Sequence, residues 1–278
     1  MGAHCSGGVK GALDRAVEIG ADAVQLFTQS PRTWRAPAPD PETYERFRDR
    51  RRETGIGSVL CHAVYLVNLA APDDTVYEKS VSTLASTVDI ACAIEAEGVV
   101  FHVGSHLGAG LDVGIDRVEA ALRTALDRCS DTTWLLMENS AGAGGTIGRS
   151  VAELKLLHER LDGHPRLGVC LDSCHLYVSG CDVTDRAALD AMLEELDKGI
   201  GLDRLRALHV NDAKSALGSN SDRHDNVLDG LMGEKLGVFL GHPAFQDLPA
   251  ILEVPGADGR GPDAEQMTRA KELHARWT

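Results

Sequence analysis

Six short apolar runs in this chain each close on a side chain of metal-binding type, and they follow one another at a nearly constant interval. SVLCH (58–62) ends on His62, VVFH (99–102) on His102, WLLME (134–138) on Glu138, LGVCLD (167–172) on Asp172, LRALH (205–209) on His209 and PAILE (249–253) on Glu253. The steps between them are 40, 36, 34, 37 and 44 residues. A buried strand, a loop and a helix of ordinary length add up to about that much chain, so the repeat predicts consecutive βα units of an α/β fold, a single (β/α)8 TIM barrel. The carboxyl ends of all strands of such a barrel share one rim. Ligand-type residues far apart in the chain converge there, and the expected chemistry is that of metal ions.

At 278 residues the chain has the length of one barrel, and no linker or shift in composition divides it, so a single domain over 1–278 is expected. Residues 1–5 must supply the first strand, 13–19 has helical spacing, and AVQLF (23–27) reads as the second strand. Residues 30–41 carry Pro31, Pro37, Pro39 and Pro41 and predict a long loop after that strand. Helical patterns follow at 41–53, 77–97, 115–128, 150–161, 185–199 and 263–277. The polar, Gly-rich stretch 212–237 is too long for a turn and is expected to fold over the site.

Composition excludes several classes. No apolar run reaches the ~18 residues of a membrane span, and the start MGAHCSGG has no basic segment leading into an apolar one; a cytoplasmic protein with no membrane partner is expected. Seven cysteines, an odd number placed mostly in apolar segments, argue against a disulfide framework. Three residues separate Cys170 from Cys174, where haem attachment needs two. A formal charge of −14 argues against broad nonspecific affinity for nucleic acid, though not against a local basic face.

By chemical type the candidates form three sets: His62, His102 and Glu138; Asp172, His209 and Glu253; and His175 with Asp222 and His224. Mixed imidazole and carboxylate sets suit zinc, manganese or iron rather than calcium, which prefers oxygen alone. The odd spacing of Asp172 and His175 cannot place both on one strand face, so His175 must turn off the strand end, whereas Asp222 and His224 point the same way in extended chain. One histidine at a strand end is ordinarily a hydrogen-bonded loop residue, but nine such residues at the ends of successive units are not. His4 and His106 sit near the same rim and are candidate donors to the ligands from behind. His158, His164, His242 and His274 lie on helical or turn segments and read as structural.

These residues sit in motifs that resemble the endonuclease IV family of abasic-site DNA endonucleases over nearly the whole chain. The matching segments are Gly2-Ala3-His4, LFTQSPRTWR (26–35), HAVYLVNLA (62–70), FHVGSH (101–106), ENSAG (138–142), VCLDSCH (169–175), HVNDAKSALGS (209–219), DRH (222–224) and ILE (251–253). The resemblance implies three zinc ions, with manganese or iron as substitutes at some positions. Glu138 would bridge two of them, His62 and His102 completing one and Asp172, His209 and Glu253 the other; His175, Asp222 and His224 would hold the third. It makes Glu138 and Glu253 the catalytic carboxylates. The implied reaction cleaves duplex DNA 5′ to an abasic site, leaving a 3′-hydroxyl and a 5′-deoxyribose phosphate, with cleaning of damaged 3′ ends, by a monomer. Arg32, Tyr65 and Leu66 would enter the duplex, and Arg35, Lys214 and Arg223 would join Arg32 as phosphate contacts.

The chain departs from the family after DRH, where a Gly-Glu-Gly-like segment is replaced by Asp225-Asn226-Val227-Leu228-Asp229-Gly230. An acidic Asp225 is expected beside the third ion, and Leu228 stands in place of a flexible glycine. The main rival reading is a sugar isomerase or epimerase of the xylose isomerase-like class, which needs only Glu138, Asp172, His209 and Glu253. A metal-bearing DNA-binding protein without catalysis is a third. His62, His102 and the Asp222/His224 pair favour the nuclease.

Overall fold

A computed structural model describes residues 1–38 and 40–278; Pro39, in the expected proline-rich loop, lies outside the described residues. Eight parallel strands close on themselves: β1 (Gly2–His4), β2 (Ala23–Phe27), β3 (Ser58–His62), β4 (Gly98–His102), β5 (Trp134–Glu138), β6 (Leu167–Asp172), β7 (Leu205–His209) and β10 (Ala250–Leu252). Each pairs with its neighbours in the chain, and β10 closes the ring between β7 and β1. The expected TIM barrel is thus the fold, with β1 as short as the sequence indicated.

The outer ring comprises α1 (Gly8–Glu18), α2 (Pro41–Thr54), α3 (Asp74–Ala93), α4 (Leu111–Leu126), α5 (Val151–Arg160), α7 (Arg186–Gly199) and α9 (Ala264–Trp277), all foreseen with ends shifted by a few residues. Their start signals are local. Asp73, Ser150, Asp185 and Asp263 each cap a helix by accepting a backbone N–H three residues on, and Asp40 does so for α2 with Pro41 in the first turn. Apolar faces such as Leu84, Val88 and Ala91 of α3 and Val118, Leu122 and Ala125 of α4 pack on the outward residues of the strands in one continuous core.

Two helices and a two-stranded hairpin were not foreseen. The helix α6 (Ser173–Ser179) starts with no loop after β6; β8 (Asp212–Ala213) and β9 (His224–Asp225) form a small antiparallel hairpin; and α8 (Leu236–Leu240) precedes β10. The 212–237 stretch is therefore a structured excursion that buries its own Val227 and Met232.

Inside the barrel lies a separate apolar plug of Ala23, Leu60, Val100, Leu136, Cys170, Ala207 and Ile251. It is tightly filled: a Cβ on Gly2 would stand 2.6 Å from the carbonyl oxygen of Ala23, and one on Gly98 would stand 2.8 Å from Leu136 Cδ1. Glycine at those positions lets neighbouring inward side chains meet.

Candidate metal centre

Side chains alternate along a strand, so the residue two beyond each plug residue also points inward, one layer nearer the carboxyl rim. Two beyond Leu60, Val100, Leu136, Cys170, Ala207 and Ile251 stand His62, His102, Glu138, Asp172, His209 and Glu253. Two beyond Ala23 stands Gln25, and two beyond Gly2 stands His4. The apolar plug is thus capped on all eight strands by one polar layer, with His102 paired in register to Glu138 and Asp172 to His209.

Within that layer the donors crowd together. Nε2 of His62 lies 3.1 Å and Nε2 of His102 3.6 Å from Glu138 Oε2; Nδ1 of His209 lies 3.0 Å from Glu138 Oε1 and 3.1 Å from Glu253 Oε2. The excursion adds the remainder: Asp222 reaches Nε2 of both His175 and His224 at 3.2 Å, and His224 Nε2 stands 3.8 Å from Asp172. His175 gets there because Asp172 caps α6, accepting the His175 backbone N–H at 2.7 Å, which turns His175 off the strand. All nine expected ligand residues fall in overlapping groups compact enough to hold metal ions. Cys174, which the sequence reading left among the apolar cysteines, also falls in one such group with Asp222 and His224.

Surrounding hydrogen bonds decide which ring nitrogens are free. The Nδ1–H of His62 donates to the Ala63 carbonyl at 2.6 Å, and that of His175 to the Asn139 carbonyl at 3.0 Å, leaving Nε2 of each to face the cluster. Asn139 also accepts the Asp172 backbone N–H through its side chain, and Asn211 donates to Asp172 Oδ2 at 2.6 Å while accepting the Glu253 N–H. Gln25 bridges His4, His209 and Glu253. None of these amides was singled out from sequence. Gln25 carried a usable signal, as the one polar residue in an apolar strand at the inward position.

The electrostatics of the cluster fit bound cations. Burial pushes Glu138 and Glu253 upward, but facing imidazoles, His102 and His209 for Glu138 and His209 for Glu253, overcome it and hold both below the usual carboxylate range; Asp222 is held low by His175 and His224 in the same way. Burial would lower His175, His209 and His224, yet their neighbours raise all three, Asp172 foremost for His175 and His224, and Cys170 ahead of Glu253 and Glu138 for His209. His4 and His102 are lowered by burial. The metal-free cluster therefore holds protons where its carboxylates call for positive charge. The buried Nε2 atoms of His175 and His224 have no hydrogen-bond partner although Asp222 is near, so they converge on shared space rather than on one another.

A cavity of about 930 Å³ opens above this layer, lined by His4, His62, His102, His175, Asp222, His224 and Glu253 and walled by Phe27, Arg32 and Tyr65. Glu138, Asp172 and His209 lie fully buried beneath. Tyr65 is 70% exposed, its ring edge-on to Phe27 at 5.2 Å. Leu66, one residue on, is half-buried against the outer core instead. Among the described residues, Arg35, Lys214, Arg223 and His106 do not line the cavity. The expectation that His106 supports the ligands from behind is corrected here: its Nδ1 accepts the backbone N–H of Gly108 and Gly110 and orders the loop before α4. Asp225 is not beside the cluster either. On β9 it alternates with His224, and its carboxylate lies 3.6 Å from Lys214 Nζ. Leu228 takes φ 74°, the left-handed backbone its glycine counterpart would adopt freely.

Fold and site together define a TIM-barrel protein whose carboxyl rim carries donor clusters that could bind metal. The family described as xylose isomerase-like TIM barrel matches residues 13–276. A Halothermothrix orenii protein named as a probable endonuclease 4 is 38% identical over 95% of this chain and 96% of its own, and one from Methanoculleus marisnigri, named likewise, is 38% identical over 98% of each. The crystal structure of endonuclease IV from Thermus thermophilus superposes with a TM-score of 0.83 at 34% identity, covering 100% of this chain and 96% of that one. A D-tagatose 3-epimerase-like protein superposes at 0.70 with 16% identity, a likeness of fold alone. The chain belongs to the xylose isomerase-like TIM barrel family and, within it, to the endonuclease 4 proteins.

Proposed function

We propose that this protein is a DNA-repair hydrolase that cuts the phosphodiester 5′ to an abasic site in duplex DNA, leaving a 3′-hydroxyl and a 5′-deoxyribose phosphate, and that trims damaged 3′ ends. The observation that carries the reading is the run of overlapping donor groups across one rim: His62, His102 and Glu138; Glu138, Asp172, His209 and Glu253; Asp172, His175 and His224; and Cys174, Asp222 and His224. His62, His102 and Glu138 would hold one ion, Glu138, Asp172, His209 and Glu253 a second, and His175, Asp222 and His224 a third, zinc foremost. Divalent ions bound there would supply Lewis acidity to water and to the phosphate. Glu138 and Glu253 fix the donor geometry from two sides, while the amide shell behind them prevents reorganisation. Arg32 and Tyr65, at the cavity wall, are placed to take up a phosphate and the gap left by a missing base. Arg35, Lys214 and Arg223, exposed on neighbouring loops, would steer the backbone, Lys214 with its charge partly met by Asp225. Leu66 would support Tyr65 from the core rather than enter the duplex.

A sugar epimerase or isomerase is the second reading, favoured by the compact group of Glu138, Asp172, His209 and Glu253. One experiment separates the two: incision of a labelled duplex with one abasic site, before and after chelation, beside metal counting and ketose turnover. Chelation-sensitive cutting 5′ to the lesion is expected. Ketose turnover without cutting would move the assignment to the sugar enzymes.

A further inference from the structure

We propose that Gln25 is a positioning residue of the metal centre, dictating which nitrogen of His209 faces the carboxylates and tying Glu253 into the same network. Gln25 is fully buried on β2, and its contacts with Glu253 and His209 leave one consistent orientation of its amide. Its Nε2 lies 2.7 Å from Oε1 of Glu253. An ionised carboxylate only accepts, so a flipped amide would set oxygen against oxygen; the amide orientation follows. Oε1 of Gln25 then faces Nε2 of His209 at 2.9 Å and, being an acceptor, requires the imidazole hydrogen there. Nδ1 of His209, between Glu138 and Glu253 at 3.0 and 3.1 Å, is left to offer its lone pair to an ion held among those carboxylates. His4 closes the same group, its Nδ1 lying 3.0 Å from Gln25 Nε2 and 3.3 Å from Glu253 Oε1.

Backbone carbonyls do the equivalent for His62 and His175, both of which present Nε2. His209 is turned the other way round, and a side chain has to supply the acceptor. Only a neutral group that donates at one end and accepts at the other meets both Glu253 and His209. A carboxylate in its place would repel Glu253, and an apolar residue would leave the Nε2–H of His209 buried without a partner.

The inference rests on reading the cluster as a metal centre, and its test keeps the two apart. Full-length, zinc-loaded wild type, Gln25→Ala and Gln25→Glu would be compared by chelator competition and, with 15N-labelled histidine, by long-range proton–nitrogen correlation. In the wild type His209 is expected to carry its proton on Nε2, protected from solvent exchange. Gln25→Ala should lose that protection and weaken retention of one ion by about 10–100-fold, the usual effect of removing an orienting partner, while the other ions stay. Gln25→Glu, which keeps the side-chain size if the alanine variant fails to fold, should weaken the same ion. A wild-type His209 protonated on Nδ1, or equal zinc retention in both variants, would overturn the role of Gln25. A wild type that retains no zinc would overturn the metal reading itself.

Discussion

Tyr65 stands free at the mouth of the cavity while its neighbours Val64 and Val67 are buried, so its ring contributes little to the core. Its value lies in the face it offers to a ligand. Aromatic stacking on nucleic acid is worth about 1–3 kcal/mol per base. Tyr65→Ala should therefore weaken binding of an abasic-site duplex by about 10–100-fold, measured by fluorescence anisotropy, with metal content and melting temperature unchanged. Loss of metal in that variant would instead tie Tyr65 to the core. Sequence pattern alone could not separate Tyr65 from Leu66, since both follow His62 in the same apolar segment. What separates them is the path of the loop after β3, which sends one side chain outward and the next against the outer core.

Among the elements, helices with strong local caps were the most legible. Asp263 shows why: it caps α9, accepting the Gln266 N–H at 2.9 Å, and ties back the preceding loop through Ala257 at 2.8 Å. Burial pushes its carboxyl upward, but these backbone donors together outweigh burial and hold Asp263 below its usual range. A depressed carboxylate contributes stability above its unfolded value of about 3.9, lost as pH falls through the folded one. Asp263→Ala should cost about 1 kcal/mol at pH 7, as lost caps do, whereas Asp263→Asn should keep the cap and flatten the acid limb of the urea-midpoint profile. An unchanged acid limb in Asp263→Asn would contradict this origin. The β8–β9 hairpin was not legible, because its strands are two residues long and carry no alternation to read. Buried Asp212 orders it by accepting backbone N–H groups from Ala213, Gly230, Met232 and Gly233, contacts that exist only once the loop has closed.

For the molecule as a whole, metal and protons compete for one cluster. In the metal-free protein the depressed carboxylates Glu138, Asp222 and Glu253 contribute stability above about pH 4, lost as pH falls through their folded values. The raised imidazoles of His175, His209 and His224 contribute fully below about pH 6.5, a contribution lost as pH rises through their folded values. The chelated protein should therefore melt highest between about pH 4 and 6.5, while the zinc-loaded protein gains stability toward neutrality as ions replace protons. Calorimetry on both forms checks it, and a chelated protein that keeps gaining stability up to about pH 8 would sink the account. The sequence by itself determined the barrel and the ligand types, because a strand's inward face and its period are local properties that repeat with each βα unit. Closure of the barrel decided the rest. Which nitrogen His175 and His209 present, and that Gln25 of the second strand serves His209 of the seventh, depend on distances between residues far apart in the chain, and no local pattern encodes them.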